Sequence, residues 1–196
     1  MLATSDIDIR TALHAKKLHV HRDTPGTIVV DELGLSHARA RIDVAVINGS
    51  VHGYEIKSAL DTLERLPAQM ELYAQCLEKL TIVCAPRHLA KVEALAPAWC
   101  GIVVASKGRR GAISFSTARR TGLNVGIDAV QLAHLLWRDE AIDLLTRLGV
   151  PLKATKASRK ELYGILAKLM TIPQITTAIR EFMALRPKWR DLPGRA

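Results

Sequence analysis

Two short runs of alternating apolar and polar residues, joined by an Asn-Gly pair, lie within the stretch from Ala40 to Ser58. Asn-Gly between apolar runs is the strongest local signal for a two-residue hairpin turn. Side chains in a strand alternate with a period of two, so Glu55 and Lys57 are predicted to share a face, and pairing around the turn places Asp43 near Glu55. The same alternation predicts one shared face for the apolar residues of the first strand, which are Ile42, Val44 and Val46.

The rest of the N-terminal part alternates between helical and strand patterns. Leucines recur at intervals of three and four residues after Ser58, and short apolar runs bounded by turns follow them. The expected elements are helices over 6–18, 60–80 and 87–95 and strands over 27–33, 81–85, 100–105 and 112–116. From Gly122 onward only helical patterns remain, over 128–137, 140–148, 158–170 and 173–185.

These patterns predict the α/β fold class. Residues 1–120 are expected to form a mixed sheet flanked by helices, and residues 121–196 a small, basic, all-helical region. The chain has 196 residues, of which 48% are hydrophobic, which is enough for a packed core. No apolar run reaches about 18 residues and no signal-peptide pattern opens the chain, so a cytoplasmic protein without membrane contact is expected. Three widely spaced cysteines predict reduced core thiols.

Charge divides the chain unevenly. Residues 1–106 contain 11 Lys and Arg against 12 Asp and Glu, whereas residues 107–196 contain 17 against 7, a net charge of +10. An asymmetry of this size indicates an anionic partner, and nucleic acid is the natural one. Nine basic residues in turns and linkers are the expected contacts: Lys107, Arg109, Arg110, Arg119, Arg120, Lys153, Lys156, Arg159 and Lys160.

The charged residues of the hairpin indicate chemistry. Strand interiors are depleted in Asp, Glu and Lys, yet Asp43, Glu55 and Lys57 all lie in this one. Two carboxylates and a backbone carbonyl form a hard oxygen site of the kind that Mg²⁺ prefers. A lysine beside them can orient or deprotonate a water molecule or stabilise developing charge. The simpler interpretation is a cross-strand salt bridge in an edge hairpin.

This pattern resembles the PD-(D/E)XK phosphodiesterase superfamily, which includes restriction-endonuclease-like and RecB-type nucleases. Asp43 followed by Glu55-Ile56-Lys57 matches its core motif, although Ile42 stands where the proline would be. The N-terminal part is also similar to an uncharacterised bacterial family of this length. Two further matches are an acidic residue before the core aspartate, Glu32, and a Q-x-x-x-Y element on the following helix, Gln69 and Tyr73. Tyr73 also fits the apolar stripe of that helix.

The resemblance implies a restriction-endonuclease-like core that hydrolyses phosphodiester bonds, in DNA first of all, with Mg²⁺ or Mn²⁺. The implied catalytic residues are Asp43, Glu55, Lys57, Glu32, Gln69 and Tyr73. The implied metal ligands are Asp43, Glu55, Glu32 and the carbonyl of Ile56. One alternative is a catalytically silent protein of this fold that binds nucleic acid or a protein, and another is an interaction protein whose basic part binds RNA or an acidic partner. A homodimer is compatible with each.

Overall fold

A mixed six-stranded sheet is the centre of the computed structural model, which describes residues 2–36, 39–151 and 157–186. Its strands are β1 (Ile28–Leu35), β2 (Ala40–Ile47), β3 (Val51–Lys57), β4 (Lys79–Cys84), β5 (Gly101–Lys107) and β6 (Ile113–Arg119). They lie side by side in chain order. β1 to β3 form an antiparallel meander, β3, β4 and β5 are parallel, and β6 returns antiparallel to β5.

Helices cover both faces of the sheet. They are α1 (Asp6–Leu13), α2 (His19–Arg22), α3 (Leu66–Cys76), α4 (Leu89–Leu95), α5 (Ala129–Ala133), α6 (Arg138–Arg147), α7 (Arg159–Leu169) and α8 (Ile172–Leu185). A π-helical turn (His14–Leu18) joins α1 to α2, and a 3₁₀ turn (Pro86–His88) precedes α4. Ser5 and Ser158 begin α1 and α7 with complete capping boxes, which satisfy backbone N–H groups that a helix start leaves unpaired.

The predicted α/β class, with a mixed sheet, flanking helices and C-terminal helices, is confirmed, whereas the restriction-endonuclease-like identity of the core is not. The helix expected over 60–80 is shorter than predicted. Ser58 donates through its N–H and hydroxyl to Asp61 Oδ2, at 2.7 and 2.6 Å, which closes a turn instead. The helix begins only at Leu66, with Pro67 in its first turn, where a missing N–H costs nothing.

Two hydrophobic cores lie on opposite faces of the sheet. The smaller core contains Ile9 and Leu13 of α1, packed against alternate residues of the strands. The larger core contains the buried faces of α3 and α5–α8 together with the other set of strand residues. The predicted division at residue 120 therefore separates a part with strands and helices from a helical part, and both contribute residues to the larger core. Among the described residues, no helix is long and apolar enough to cross a membrane.

Two buried polar side chains attach the C-terminal helices to this core. Asn124 donates through Nδ2 to two carbonyl oxygens at the end of α3, at 2.6 and 2.9 Å. Glu78 accepts from the Val51 N–H at 2.8 Å and from the Thr176 hydroxyl of α8 at 2.7 Å.

The three cysteines are buried free thiols, as predicted, and burial raises the pKa of each.

Candidate functional site

The hairpin of β2 and β3 brings Asp43 next to Ile56. The paired positions run from Ile47 and Val51 at the turn to Val44 and Tyr54. One residue further, Asp43 Oδ2 accepts a hydrogen bond from the Ile56 N–H at 2.6 Å. The Asp43 carboxylate thus accepts a hydrogen bond that a backbone carbonyl would accept in a regular strand pair. It is fixed against the backbone of β3, the strand that contains Glu55.

Glu55 and Lys57 share a face, as the alternation predicts, and form a buried ion pair. Their side chains are 3% and 9% exposed, and Lys57 Nζ lies 2.7 Å from Glu55 Oε1. Gln69 of α3 links them, since Nε2 donates to Glu55 Oε1 and Oε1 accepts from Lys57 Nζ, both at 3.0 Å. The Tyr73 hydroxyl lies 2.6 Å from Glu55 Oε2. Burial, followed by the charge of Glu55, raises the pKa of Tyr73, so the phenol stays protonated.

Asp43 and Glu32 are bound instead by Arg10 of α1. The guanidinium contacts Glu32 Oε1 at 2.7 Å and Asp43 Oδ1 at 3.1 Å, and it donates to the Asp43 carbonyl at 2.8 Å. Asp6, one turn earlier in α1, accepts from Arg10 Nε at 3.1 Å. Arg41 forms a further ion pair with Glu32 at 2.6 Å. Arg10, which is mostly buried, therefore balances Asp43 and shares Glu32 with Arg41.

A change of face in β1 and β2 explains why Asp43 meets α1. Glu32 has a φ of +58°, a left-handed conformation that is uncommon for residues with a side chain. The strand ladder pairs the neighbours of Glu32 with those of Asp43. The residues that enter the larger core shift by one position there: Ile28, Val30, Leu33 and Leu35 in β1, and Ile42, Ala45 and Ile47 in β2. The prediction that Ile42, Val44 and Val46 share a face is therefore wrong.

Side chains of two different helices bind the predicted metal ligands. Glu55 is bound by side chains of α3 and Asp43 by Arg10 of α1, and these helices pack on opposite faces of the sheet. Each carboxylate already has a cationic neighbour, Lys57 or Arg10, where a divalent ion would be needed. Within residues 2–36, 39–151 and 157–186, no three His, Cys, Asp or Glu side chains form a metal-binding group. Mg²⁺ or Mn²⁺ binding stays a prediction that this donor set does not fit.

The environment of Asp43 perturbs its titration. Burial raises the pKa of Asp43 to about 7, and the nearby charge of Glu55 adds to the increase. The Ile56 N–H and the charge of Arg10 act in the opposite direction. Asp43 is thus a carboxyl group that changes protonation near neutral pH.

The predicted nucleic-acid contacts are spread over three places. Arg109 and Arg110 are exposed at the β5–β6 turn, and Arg119 and Arg120 lie at the other end of β6. Arg159 and Lys160 are exposed in the first turn of α7. The remaining three have different settings: Lys107 forms an ion pair with Asp8 at 2.8 Å, and Lys153 and Lys156 lie outside the described residues.

Sequence reasoning missed several residues that organise these sites. Arg10 lies 33 positions from Asp43, and no local pattern links the two. Its spacing of four from Asp6 was a signal for a helical ion pair, but not for a contact with the sheet. Glu78 and Trp137 were also missed. Glu78 lies between Leu77 and Lys79, and nothing in that local sequence signals a buried polar link.

Comparisons with known proteins identify relatives of this chain. A family described as Bacteriophage P4 protein cII matches residues 8–190. A curated relative, protein cII of Enterobacteria phage P4, is 26% identical over 155 residues, which cover 79% of this chain and 56% of the relative. The chain thus aligns with little more than half the length of that relative. No solved structure matches.

These matches correct the main functional predictions. The assignment to the PD-(D/E)XK superfamily is wrong, because both the family and the curated relative are cII proteins. The predictions derived from that assignment, a metal-dependent nuclease and therefore a phosphodiesterase enzyme, are overturned by the same finding. The motif residues are present, but each carboxylate is paired with a cation, Asp43 with Arg10 and Glu55 with Lys57. Because the match extends over residues 8–190, the chain belongs to the Bacteriophage P4 protein cII family.

Proposed function

We propose that the protein binds nucleic acid through its phosphate backbone and leaves the phosphodiester bonds intact. The observation that carries this proposal is the net charge of +10 on residues 107–196, against −1 on residues 1–106. Backbone phosphates attract such a surface regardless of base sequence, because binding releases condensed counterions. Affinity of this kind does not depend on the base sequence, and any sequence preference would add to it.

The two parts of the chain use their charges differently. In the N-terminal part, carboxylates are balanced by internal cations, such as Glu55 by Lys57 and Asp43 by Arg10. In the C-terminal part, several exposed basic residues form no ion pair with any residue that the structure describes. They are Arg109, Arg110, Arg120, Arg159 and Lys160. These side chains can exchange water for phosphate without breaking an internal contact.

The polar network around Glu55 supports binding without hydrolysis. Lys57, Gln69 and Tyr73 already satisfy both oxygens of the Glu55 carboxylate. A lysine that is 9% exposed and paired with a buried carboxylate is poorly placed to meet a scissile phosphate. Such a network stabilises the packing of α3 on the sheet, which is a structural task.

A salt titration with paired variants tests the proposal. Fluorescence anisotropy would follow binding of a labelled duplex between about 50 and 200 mM salt, where log affinity should fall by roughly 0.9 per phosphate contact for each unit of log salt. Arg159→Gln with Lys160→Gln should flatten the slope by about 1 for each lost contact. The matched control is Arg65→Gln with Lys91→Gln, two exposed cations of the N-terminal part, and it should leave the slope unchanged. Absence of binding at low salt, or equal effects of the two pairs, would refute the proposal.

A further inference from the structure

The connection between α5 and α6 is held by side chains from three helices. Residues 135–137 are each fixed through the backbone. Arg186, at the end of α8, donates to the first carbonyl at 2.7 Å, and the Tyr163 hydroxyl of α7 donates to the second at 2.8 Å. The N–H of the third residue donates to Glu140 Oε2 of α6 at 2.7 Å. This short segment is therefore rigid, although it is not part of a helix.

The third residue is Trp137, which is 55% exposed. The Arg186 guanidinium lies 4.4 Å from the ring centroid, in cation–π contact. Arg186 itself is only 7% exposed and is held by both oxygens of Glu140, at 2.7 and 2.6 Å. Glu140 thus restrains Trp137 in two ways. It accepts a hydrogen bond from the Trp137 N–H, and it holds Arg186 against the Trp137 ring. The Trp137 indole is therefore held in one orientation and is exposed to solvent.

Three guanidinium groups lie near the Tyr163 hydroxyl, which donates to the segment that contains Trp137. Burial and then the charge of Glu140 raise the pKa of Tyr163, and the charges of Arg159, Arg186 and Arg138 counteract that increase. Arg138 follows Trp137 directly and reaches the carbonyl of Ala157, which precedes α7, at 3.4 Å. The start of α7, with exposed Arg159, is therefore linked through Arg138 to the segment that contains Trp137.

We propose that Trp137 is a stacking platform for an unpaired base of single-stranded nucleic acid, with phosphates bound by the basic residues that begin α7. The inference rests on the proposed function and specifies its ligand. A fixed indole with adjacent cations combines the two features by which proteins bind single strands, aromatic stacking and backbone neutralisation. A duplex hides the faces of its bases, so this ring can add affinity only for unpaired nucleotides.

The test compares single and double strands on the intact chain. Anisotropy would measure affinity for a labelled oligo(dT) and for a duplex of equal length with wild type, Trp137→Leu and Trp137→Phe. Stacking is worth about 1–3 kcal/mol per base, so Trp137→Leu should lower single-strand affinity about tenfold and leave duplex affinity unchanged. Trp137→Phe should keep most of the single-strand affinity. Leu148→Ala, which shortens another exposed apolar residue at the end of α6, is the matched control and should change neither.

Different results separate the inference from the function on which it rests. Unchanged single-strand affinity in Trp137→Leu, or an equal loss for both probes, would overturn the stacking role while nucleic-acid binding stands. A Trp137→Phe protein that unfolds at the wild-type temperature but loses as much affinity as Trp137→Leu would also overturn it. Absence of binding to either probe in the wild type would refute the proposed function, and the stacking role with it.

Discussion

Glu55 and Lys57 show how a motif can be intact and still have a structural task. The two side chains form an ion pair under α3, and Gln69 and Tyr73 satisfy the remaining polar atoms of the pair. Burial of two charges is costly unless each has a partner, and a lone charge left in such a site is worse than no charge. The network therefore makes stability sensitive to each of its members.

Removing the cation alone tests this role. Lys57→Met leaves the Glu55 carboxylate buried without its charge partner, so the free energy of unfolding should fall by about 3–5 kcal/mol. Urea denaturation would measure the change, and the double variant Glu55→Gln/Lys57→Met should recover much of it. The control, Lys91→Met, concerns an exposed lysine and should stay within about 0.5 kcal/mol of the wild type. A loss below about 1 kcal/mol for Lys57→Met would contradict the assigned role.

Asp43 should give stability a distinct pH dependence. Its pKa is about 7 in the folded protein against 3.8 in a free side chain, first because it is buried and then because Glu55 is near. The folded state binds the proton more tightly than the unfolded state, so the contribution of Asp43 to stability is complete below about pH 4 and is lost as pH rises through about 7. The free energy of unfolding of wild type minus that of Asp43→Asn should therefore decrease between pH 4 and 8. A difference that stays constant or increases with pH would contradict a raised pKa for Asp43 in the folded protein.

Local patterns could predict only part of this site. The Asn-Gly turn and the strand period sufficed to place Glu55 and Lys57 on one face, and the spacing of four sufficed to place Gln69 and Tyr73 together on α3. The ion pair of Arg10 with Asp43 depends on how α1 packs on the sheet and on the left-handed backbone of Glu32. Neither depends on neighbours in sequence, so alternation alone could not predict the contact between Asp43 and Arg10.

At the scale of elements, α8 is attached to the sheet through a buried carboxylate. Glu78 precedes β4 and accepts from the hydroxyl of Thr176, while hydrophobic residues of α8 enter the larger core. The helical pattern of α8 was readable from its sequence. Its attachment was not, because a single Thr–Glu contact over 98 positions leaves no periodic signal.

Adjacent threonines of α8 provide a controlled test of this attachment. Thr176→Val keeps the side-chain shape but removes a donor from Glu78, so it should cost about 1–3 kcal/mol in the free energy of unfolding. Thr177→Val is the matched control, because Thr177 is exposed and its hydroxyl bonds only to the preceding turn of the helix. Thermal or urea unfolding should separate the two variants. Equal free energies of unfolding for the two variants would show that the Thr176–Glu78 hydrogen bond does not stabilise the protein.

At the scale of the molecule, one face of the sheet and the helices α5–α8 share the larger core, while charge is divided along the chain. The amino-acid composition of the two parts is enough to predict how charge is divided, because a net charge can be counted without knowing which residues are in contact. The family was not predictable from the motif, because a short set of acidic and basic residues recurs in unrelated folds. The match over residues 8–190 concerns the whole pattern of the chain, and it decides between the nuclease and cII assignments.

One measurement tests the central claim, nucleic-acid binding without hydrolysis, most directly. A labelled oligonucleotide, single-stranded in one sample and duplex in another, would be incubated with the full chain and Mg²⁺ or Mn²⁺ at low salt. Each sample would then be divided between a native and a denaturing gel. If the protein binds without hydrolysis, the native gel should show a retarded band and the denaturing gel should show full-length strands. Unretarded probe, or shortened strands that are absent from a Lys57→Met sample shown to be folded, would contradict it.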